Sequence, residues 1–377
     1  MMTEARWSKE QAWAWYRSQP WIRGCHYIGS DCVNRIDQWQ EYQFEEHLKT
    51  WDHEMALMQS IGYNAIRVIL EYDVWEKQHD GFMERLDQYL ASSYRHGVRA
   101  MLVLSNECAV RTAAYQPPVY GPQPFFPACH GGGKFTVWYS HDSDARYNVL
   151  DDPEIAPKYY QMVYELIQRY GQDDRVLVWN LMNEPGNGRG KKSWSHLIKM
   201  FEIGRELNPM QPLCADVWRG MQNGRAKTEI EQLALDLSDV VSYHCYGSYQ
   251  DNVDYLLQLR QIGRPAMNTE WMNRLNPTNT VPYLFPLFFL ENIGSFSFGF
   301  VAGKMCYNEP AQGIWLEYEK NGYEAVKNLD LTKWQHDLFR LNDMPYDPYE
   351  IEVIKKYCRM ADQKFEDNKL YRPDYFM

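Results

Sequence analysis

The sequence predicts an α/β fold: a single (β/α)8 barrel with a short N-terminal helix and a long ordered loop after the third strand. Short apolar runs recur along the chain, and most are followed by a longer segment with helical periodicity. Eight such alternations within 377 residues match a closed barrel better than an open doubly wound sheet. The absence of a Gly-x-Gly-x-x-Gly motif after the first strand also disfavours a dinucleotide-binding sheet.

The predicted elements follow one another in a regular order. The apolar runs predict strands over 21–27, 64–70, 99–105, 176–182, 211–216, 239–245, 264–270 and 295–301. Helical periodicity predicts helices near 8–18, 42–60, 82–97, 153–171, 192–207, 226–236, 251–261, 281–292 and 348–362. Two of these helices, ending "MALMQSIG" and "YLASSYRHG", close on glycine just before the next strand, which is a normal helix stop. Because neither an internal repeat nor a low-complexity linker divides the chain, residues 1–377 are predicted to form one domain.

One connection, residues 106–152, is far longer than the usual two to six or so residues. It contains "QPPVYGPQPFFP" and "CHGGGKFTVWYSHD", which are rich in proline, glycine, histidine and aromatic residues. A disordered insertion would carry fewer aromatic residues and more charge. We therefore expect an ordered cover over the C-terminal end of the barrel, where barrel active sites lie.

Composition excludes several classes of partner and location. The net charge is −11 and no block of lysine and arginine is present, so nucleic acids and anionic membrane surfaces are poor partners. No apolar stretch approaches the length needed to span a membrane, and the first residues do not have the pattern of a signal peptide. Eight scattered cysteines favour a reducing compartment. We expect a cytoplasmic protein.

Polar side chains follow seven of the eight predicted strands, at the end where barrel enzymes place their chemistry. They are Arg67, Asn106, Glu107, Asn183, Glu184, Asp216, Trp218, His244, Tyr246, Glu270, Trp271 and Lys304. Glu184 and Glu270 end strands four and seven, on opposite sides of the barrel, so their side chains can face each other across its mouth. Two opposed carboxylates suit glycoside hydrolysis: one protonates the leaving oxygen, and the other attacks the anomeric carbon or activates water. Structural salt bridges at the rim are the alternative, and the neighbouring polar residues disfavour it.

The stretch "WNLMNEP" resembles the strand-four Asn-Glu-Pro signature of clan A glycoside hydrolases, particularly the cellulase-like family 5 group. The resemblance spans essentially the whole barrel. It implies that Glu184 is the general acid/base, that Glu270 is the nucleophile, and that Asn183 contacts the sugar 2-hydroxyl. It also implies a TIM barrel that cleaves β-glycosidic bonds with retention by double displacement, without a cofactor.

Further residues belong to this resemblance. Arg67 in "NAIRVIL" matches the arginine that orients the nucleophile, and His244 and Tyr246 match the His-x-Tyr pair that lies between the carboxylates. The opening "RGCHYIGSDCVN", which ends at Asn34, and the "GFVAGK" segment, which ends at Lys304, are similar to xylanase-like and cellulase-like sequences. A metal site is disfavoured, because no second histidine or cysteine stands at a ligand spacing from His244.

Two positions depart from the family pattern. Phe298 stands where a tryptophan usually lies beneath the sugar, and Glu107 adds a third carboxylate near the mouth. We expect Glu107 to bind substrate hydroxyls, with an ion pair to an arginine of the long loop as the alternative. Trp218 and Trp271 complete the expected substrate-binding residues.

The expected electrostatics differ between the two carboxylates. Arg67 is expected to lower the pKa of Glu270, because a nearby opposite charge favours the ionised form. A drier setting and the negative Glu270 are expected to raise the pKa of Glu184. Two alternatives remain open: a barrel that binds carbohydrate without catalysis, and a transglycosylase that uses the same carboxylates.

Overall fold

Eight parallel strands close into a barrel in which each strand pairs with its neighbours along the chain and the last pairs with the first. The computed structural model describes residues 6–108, 110–111, 115–128, 130–131 and 146–367. The barrel strands are β1 (Arg23–His26), β2 (Ala65–Ile69), β3 (Arg99–Val103), β4 (Val176–Met182), β5 (Leu213–Val217), β6 (Val241–His244), β7 (Ala266–Trp271) and β8 (Gly294–Phe298). All eight strands lie where the sequence predicts them, so the predicted fold class is confirmed.

Helices surround the barrel. They are α1 (Lys9–Arg17), α2 (Arg35–Trp39), α3 (Phe44–Ile61), α4 (Tyr72–Lys77), α5 (His79–Arg95), α6 (Ala156–Tyr170), α7 (Ser193–Leu207), α8 (Glu229–Leu237), α9 (Tyr249–Ile262), α10 (Val281–Leu290), α11 (Gln312–Asn321), α12 (Tyr323–Val326) and α13 (Pro348–Glu366). Helices α2, α4, α11 and α12 were not expected from the sequence. Three of these have four to six residues, too few for helical periodicity to be visible. None of the helices in the described part of the chain combines the length and apolar character needed to cross a membrane.

The N-terminal helix closes the end of the barrel opposite the strand ends that carry polar residues. Trp13 and Tyr16 of α1 belong to one buried cluster with inward residues of the strands, among them Met101 and Met267. The Tyr16 hydroxyl donates to the carbonyl of Asn292 over 3.0 Å, which ties the helix to the chain before β8. Helix α1 therefore stabilises the base of the barrel and leaves the C-terminal ends of the strands for a site.

The long connection is partly described. Its segment 115–128 is held against the barrel: the Tyr120 hydroxyl donates to the carbonyl of Asp73 over 2.7 Å, and Gln40 exchanges two hydrogen bonds with the backbone of Gly121. At the base of the loop, residues 110–111 pair antiparallel with residues 146–147. The expected ordered cover thus includes this segment, while residues 109, 112–114, 129 and 132–145 lie outside the described residues.

Candidate active site

Glu184 lies two residues beyond the end of β4 in an unusual backbone conformation. Its φ angle is +48°, in the left-handed region. Residues other than glycine rarely adopt this region, because it costs about 1–3 kcal/mol. The backbone N–H of Asn187 donates to the backbone carbonyl of Glu184 over 3.0 Å and closes a turn across Pro185 and Gly186. The Pro-Gly pair after the strand thus ends the extended backbone and fixes the position of the carboxylate.

Glu184 and Glu270 meet at the C-terminal end of the barrel. Glu270 belongs to β7, and each residue is less than a tenth exposed. One carboxylate oxygen of each, together with a ring nitrogen of His244, lies within 4.8 Å of the others. The two carboxylates expected to face each other from strands four and seven therefore converge.

Arg67 links four strand ends. Its side chain is completely buried, and one terminal nitrogen lies 2.8 Å from Oε1 of Glu270 and 3.1 Å from Nδ1 of His26. The other donates to Oδ1 of Asn183 over 2.6 Å and to Oδ2 of Asp216 over 2.8 Å. One guanidinium therefore orients Glu270 and Asn183 together, because its planar fork presents several donors in fixed directions.

His244 lies between the carboxylates. Its Nδ1 is 2.8 Å from Oε1 of Glu184 and 3.6 Å from Oε2 of Glu270, and its Nε2 is 3.5 Å from Oδ2 of Asp216. Burial works to lower the pKa of His244, but the charges of Glu270 and Asp216 and the hydrogen bond to Glu184 outweigh it. The pKa of His244 is therefore raised, which favours an imidazolium among three carboxylates.

An aromatic wall borders Glu270. The Tyr246 hydroxyl donates to Oε2 of Glu270 over 2.9 Å, and its ring meets Phe298 edge-on at 6.1 Å between centroids. Phe298 stacks on His26 at 4.8 Å and packs against Tyr307 at 4.6 Å. Phe298 thus packs against Tyr246, the residue that donates to the nucleophile candidate. His26 and Tyr307 were not predicted, although His26 ends β1 as the other polar residues end their strands.

Three donors converge on Glu184, and only His244 among them was expected from the sequence. The Cys108 thiol lies 3.1 Å from Oε2 of Glu184, and Nδ2 of Asn187 lies 2.5 Å from the same oxygen. Burial works to raise the pKa of Glu184, but the hydrogen bond and charge of His244, with hydrogen bonds from Cys108 and Asn187, outweigh it. The pKa of Glu184 is therefore lowered, and the expectation of a raised pKa is wrong for this arrangement.

The pKa of Glu270 also differs from expectation. Burial raises it, and the charges of His244 and Arg67 offset only part of that rise. The negative charges of Glu184 and Asp216 add to the rise, so the pKa of Glu270 is raised despite its ion pair with Arg67. The expectation of a lowered pKa considered Arg67 alone and is therefore wrong.

Glu107 is not available to substrate. The residue is fully buried, and its carboxylate pairs with Arg189 and accepts from the Ser193 hydroxyl and, over 3.3 Å, from the Asn148 amide. Arg189 also pairs with Asp151. The expectation of substrate binding is therefore wrong, and the arginine comes from the connection after β4 instead of the long loop. This network fastens that connection and the end of the loop to β3.

Trp271 is also a core residue. Its side chain is completely buried, its Nε1 donates to Oγ of Ser295 over 3.0 Å, and its ring packs on Phe285 and Phe288 of α10. Adjacent residues of a strand point to opposite faces. Since Glu270 faces the site, Trp271 faces the surrounding helices, and the expectation of substrate binding by Trp271 is wrong.

The remaining candidates lie around the rim. Trp218 is partly exposed, and its Nε1 donates over 3.2 Å to the carbonyl of Pro185, next to Glu184. Asn34 caps α2 and donates over 3.0 Å to Gln123 of the long loop, so its side chain has a structural role. Lys304 is partly exposed, and among the described residues no ion pair joins its ammonium to either carboxylate.

Within the described part of the chain, two groups of side chains have ligand atoms close enough together to hold a metal ion: Glu184 with His244 and Glu270, and Asp31 with Cys32 and His47. In each group a carboxylate oxygen lies 2.8 Å from Nδ1 of the histidine. A hydrogen-bonded ion pair therefore accounts for both arrangements without a metal.

The known proteins to which this chain is similar are also glycoside hydrolases. The family model described as cellulase (glycosyl hydrolase family 5) matches residues 31–278. None of the curated proteins matches the chain. Solved structures with a similar fold include the exo-β-1,4-mannosidase Op5Man5 from Opitutaceae bacterium strain TAV5, with 16% identity, a TM-score of 0.52, and coverage of 91% of this chain and 60% of that chain.

Two further structures have the same degree of similarity. The endo-β-1,4-mannanase from Thermotoga petrophila has 14% identity and a TM-score of 0.53, over 92% of this chain and 78% of that chain. GH5_18 from Streptomyces cattleya, solved in complex with GlcNAc, has 9% identity and a TM-score of 0.52, over 93% and 82%. At these identities the likeness shows the fold alone. The match of the family model to most of the barrel, over the strands that carry both carboxylates, establishes that the chain belongs to glycosyl hydrolase family 5.

Proposed function

We propose that this glycoside hydrolase cleaves β-glycosidic bonds in oligosaccharides or small glycosides with retention of anomeric configuration. The observation that supports the proposal is the spacing of Glu184 and Glu270, which each have a carboxylate oxygen within 4.8 Å of one of the other. Retaining enzymes hold their carboxyl groups about 5–5.5 Å apart, whereas inverting enzymes need about 6.5–9.5 Å to admit a water molecule. The close spacing favours direct attack by one carboxylate over activation of water by it.

Glu270 is the proposed nucleophile. Arg67 holds its Oε1 and the Tyr246 hydroxyl holds its Oε2, so both oxygens have fixed positions. Attack on the anomeric carbon forms a glycosyl ester on Glu270 and breaks the bond to the leaving oxygen. A preorganised carboxylate needs little rearrangement before attack, which lowers the barrier.

Glu184 is the proposed acid/base, and His244 holds the proton that Glu184 delivers. The proton on Nδ1 of His244 moves to Oε1 of Glu184 along the 2.8 Å hydrogen bond, and from Glu184 to the leaving oxygen. Esterification then removes the negative charge of Glu270, one of the charges that raise the pKa of His244. The Glu184–His244 pair therefore holds a proton less tightly in the glycosyl-enzyme. Glu184 remains a carboxylate that can deprotonate water for the second displacement.

The test is a panel of nitrophenyl β-glycosides and reduced oligosaccharides, with the anomer of the first product followed by NMR. β-Mannosides come first in the panel, because structures with this fold include a mannosidase and a mannanase. We expect a β-configured first product. An α-configured product contradicts the retaining mechanism, binding without turnover favours a non-catalytic barrel, and transfer to an added acceptor sugar favours transglycosylation.

The cytoplasmic location stays a prediction.

A further inference from the structure

Cys108 occupies a position that the proposed reaction does not explain. It follows β3 and Asn106, at the start of the long loop, and it is partly exposed. Its Sγ lies 3.1 Å from Oε2 of Glu184 and 3.3 Å from Nδ2 of Asn187. The thiol hydrogen therefore points to the carboxylate, while the sulfur accepts from the amide, which also contacts the same carboxylate oxygen.

We propose that Cys108 is a positioning residue that sets the proton affinity of Glu184 by donating its thiol hydrogen to Oε2. The inference rests on the proposed acid/base role of Glu184. With Oε1 held by His244 and Oε2 held by Cys108 and Asn187, the carboxylate has one fixed orientation. Each of these hydrogen bonds favours the ionised form of Glu184.

A thiol suits this role for two reasons. Although the residue is partly exposed, exclusion of water from its thiol and the negative charge of Glu184 raise the pKa of Cys108 well above its usual value, so the group stays protonated and remains a donor. A thiol is also a weak donor. The Cys108 thiol orients the Glu184 carboxylate but lowers its proton affinity less than a hydroxyl at hydrogen-bonding distance would. Glu184 must give up its proton and then regain it, so a moderate contact suits its role.

The test compares Cys108→Ala and Cys108→Ser with the unmodified enzyme. We expect the alkaline limb of the kcat/KM profile, which reports loss of the proton from the Glu184–His244 pair, to move to higher pH by about 0.5–1 unit in Cys108→Ala. Cys108→Ser keeps a donor and is expected to return the limb to the original pH or below it. Cys358→Ala is the matched control: Cys358 is equally a free thiol, is buried on α13, and is expected to leave the limb unchanged.

A second measurement does not depend on turnover. The carboxyl carbon of Glu184 is titrated by NMR in protein labelled with ¹³C-glutamate, its signal being assigned by its absence in Glu184→Gln. An unchanged titration in Cys108→Ala, or a limb that Cys108→Ser fails to restore, overturns the inference even when the enzyme is active. A shifted titration in a protein that cleaves no glycoside supports the role of Cys108 and contradicts the proposed function instead.

Discussion

Replacing Arg67 by methionine tests whether the buried charges form one network. Methionine fills a similar volume but removes the positive charge that lies 2.8 Å from both Asp216 and Glu270. Removing one partner of a buried ion pair costs about 3–5 kcal/mol of the free energy of unfolding, because the remaining charge stays buried without compensation. With an unfolding entropy of about 2.1 cal/mol/K per residue, this cost lowers the Tm of the 377-residue chain by about 4–6 °C.

The pH dependence of that loss follows from the two carboxylates. Without Arg67 the lowered pKa of Asp216 rises and the already raised pKa of Glu270 rises further, so the folded variant takes up protons before the unfolded chain as the pH falls. The stability difference between Arg67→Met and the unmodified protein is therefore largest at neutral pH and narrows on acidification. The additional change Asp216→Asn removes one unpaired charge, so the double variant should lose less than the sum of the single changes.

Thermal melts and urea unfolding between pH 4 and pH 8 measure these quantities. Arg95→Met is the matched control, because Arg95 also lies 2.8 Å from a carboxylate, that of Asp52, but with its side chain 64% exposed. Exposed pairs contribute about 0–1 kcal/mol. A loss in Arg67→Met no larger than that in Arg95→Met, or a loss that grows toward acid pH, would show that Arg67 does not compensate the two buried carboxylates.

Three further predictions concern single residues. Glu270→Ala is expected to reduce turnover of an activated aryl glycoside by several orders of magnitude and to be partly rescued by azide, whereas near-normal turnover would remove the nucleophile assignment. Glu184→Gln should slow substrates with poor leaving groups far more than those with good ones; equal losses, measured across a series of aryl glycosides, would indicate a binding role. For His47, burial opposes the charge, but the 2.8 Å hydrogen bond to Asp31 and the carboxylate of Asp37, 3.6 Å away, raise its pKa to about 9. Its contribution to stability is therefore complete below about pH 6.5 and lost as the pH rises toward 9, so urea unfolding of His47→Gln should show a deficit that disappears over this range, and a constant deficit would contradict the assignment.

The fold was predictable because its signals are local. Each barrel strand is a short apolar run, and each long helix shows its own periodicity, so neither needs information from elsewhere in the chain. The short helices α2 and α4 escaped prediction because they form where connections pack over the strand ends. At α2 the capping residue Asn34 is itself held by a hydrogen bond to Gln123, from a loop far away in the sequence, whereas α4 begins without a side-chain cap.

The site was predictable where strand topology alone determines position. Glu184 and Glu270 converge because parallel strands of a closed barrel end at one rim, which requires no knowledge of side-chain partners. Glu107 has the same signal but pairs with Arg189, 82 positions along the chain, and nothing in the local sequence shows that pairing. Trp271 could have been rejected from the sequence, because the residue after an inward-facing Glu270 in a strand must face outward.

The pKa shifts of these groups could not be predicted from the sequence, because they depend on a cluster of charges and not on a single pair. Arg67 and, when protonated, His244 carry positive charge, and Glu184, Glu270 and Asp216 carry negative charge when ionised. In such a cluster the loss of any one charge changes the proton affinity of all the others. In the proposed mechanism, formation of the glycosyl ester would remove the negative charge of Glu270 at the step where Glu184 changes from acid to base. The reaction itself would then drive that change, and Asp216, whose side chain is fully buried, would help determine how readily it occurs.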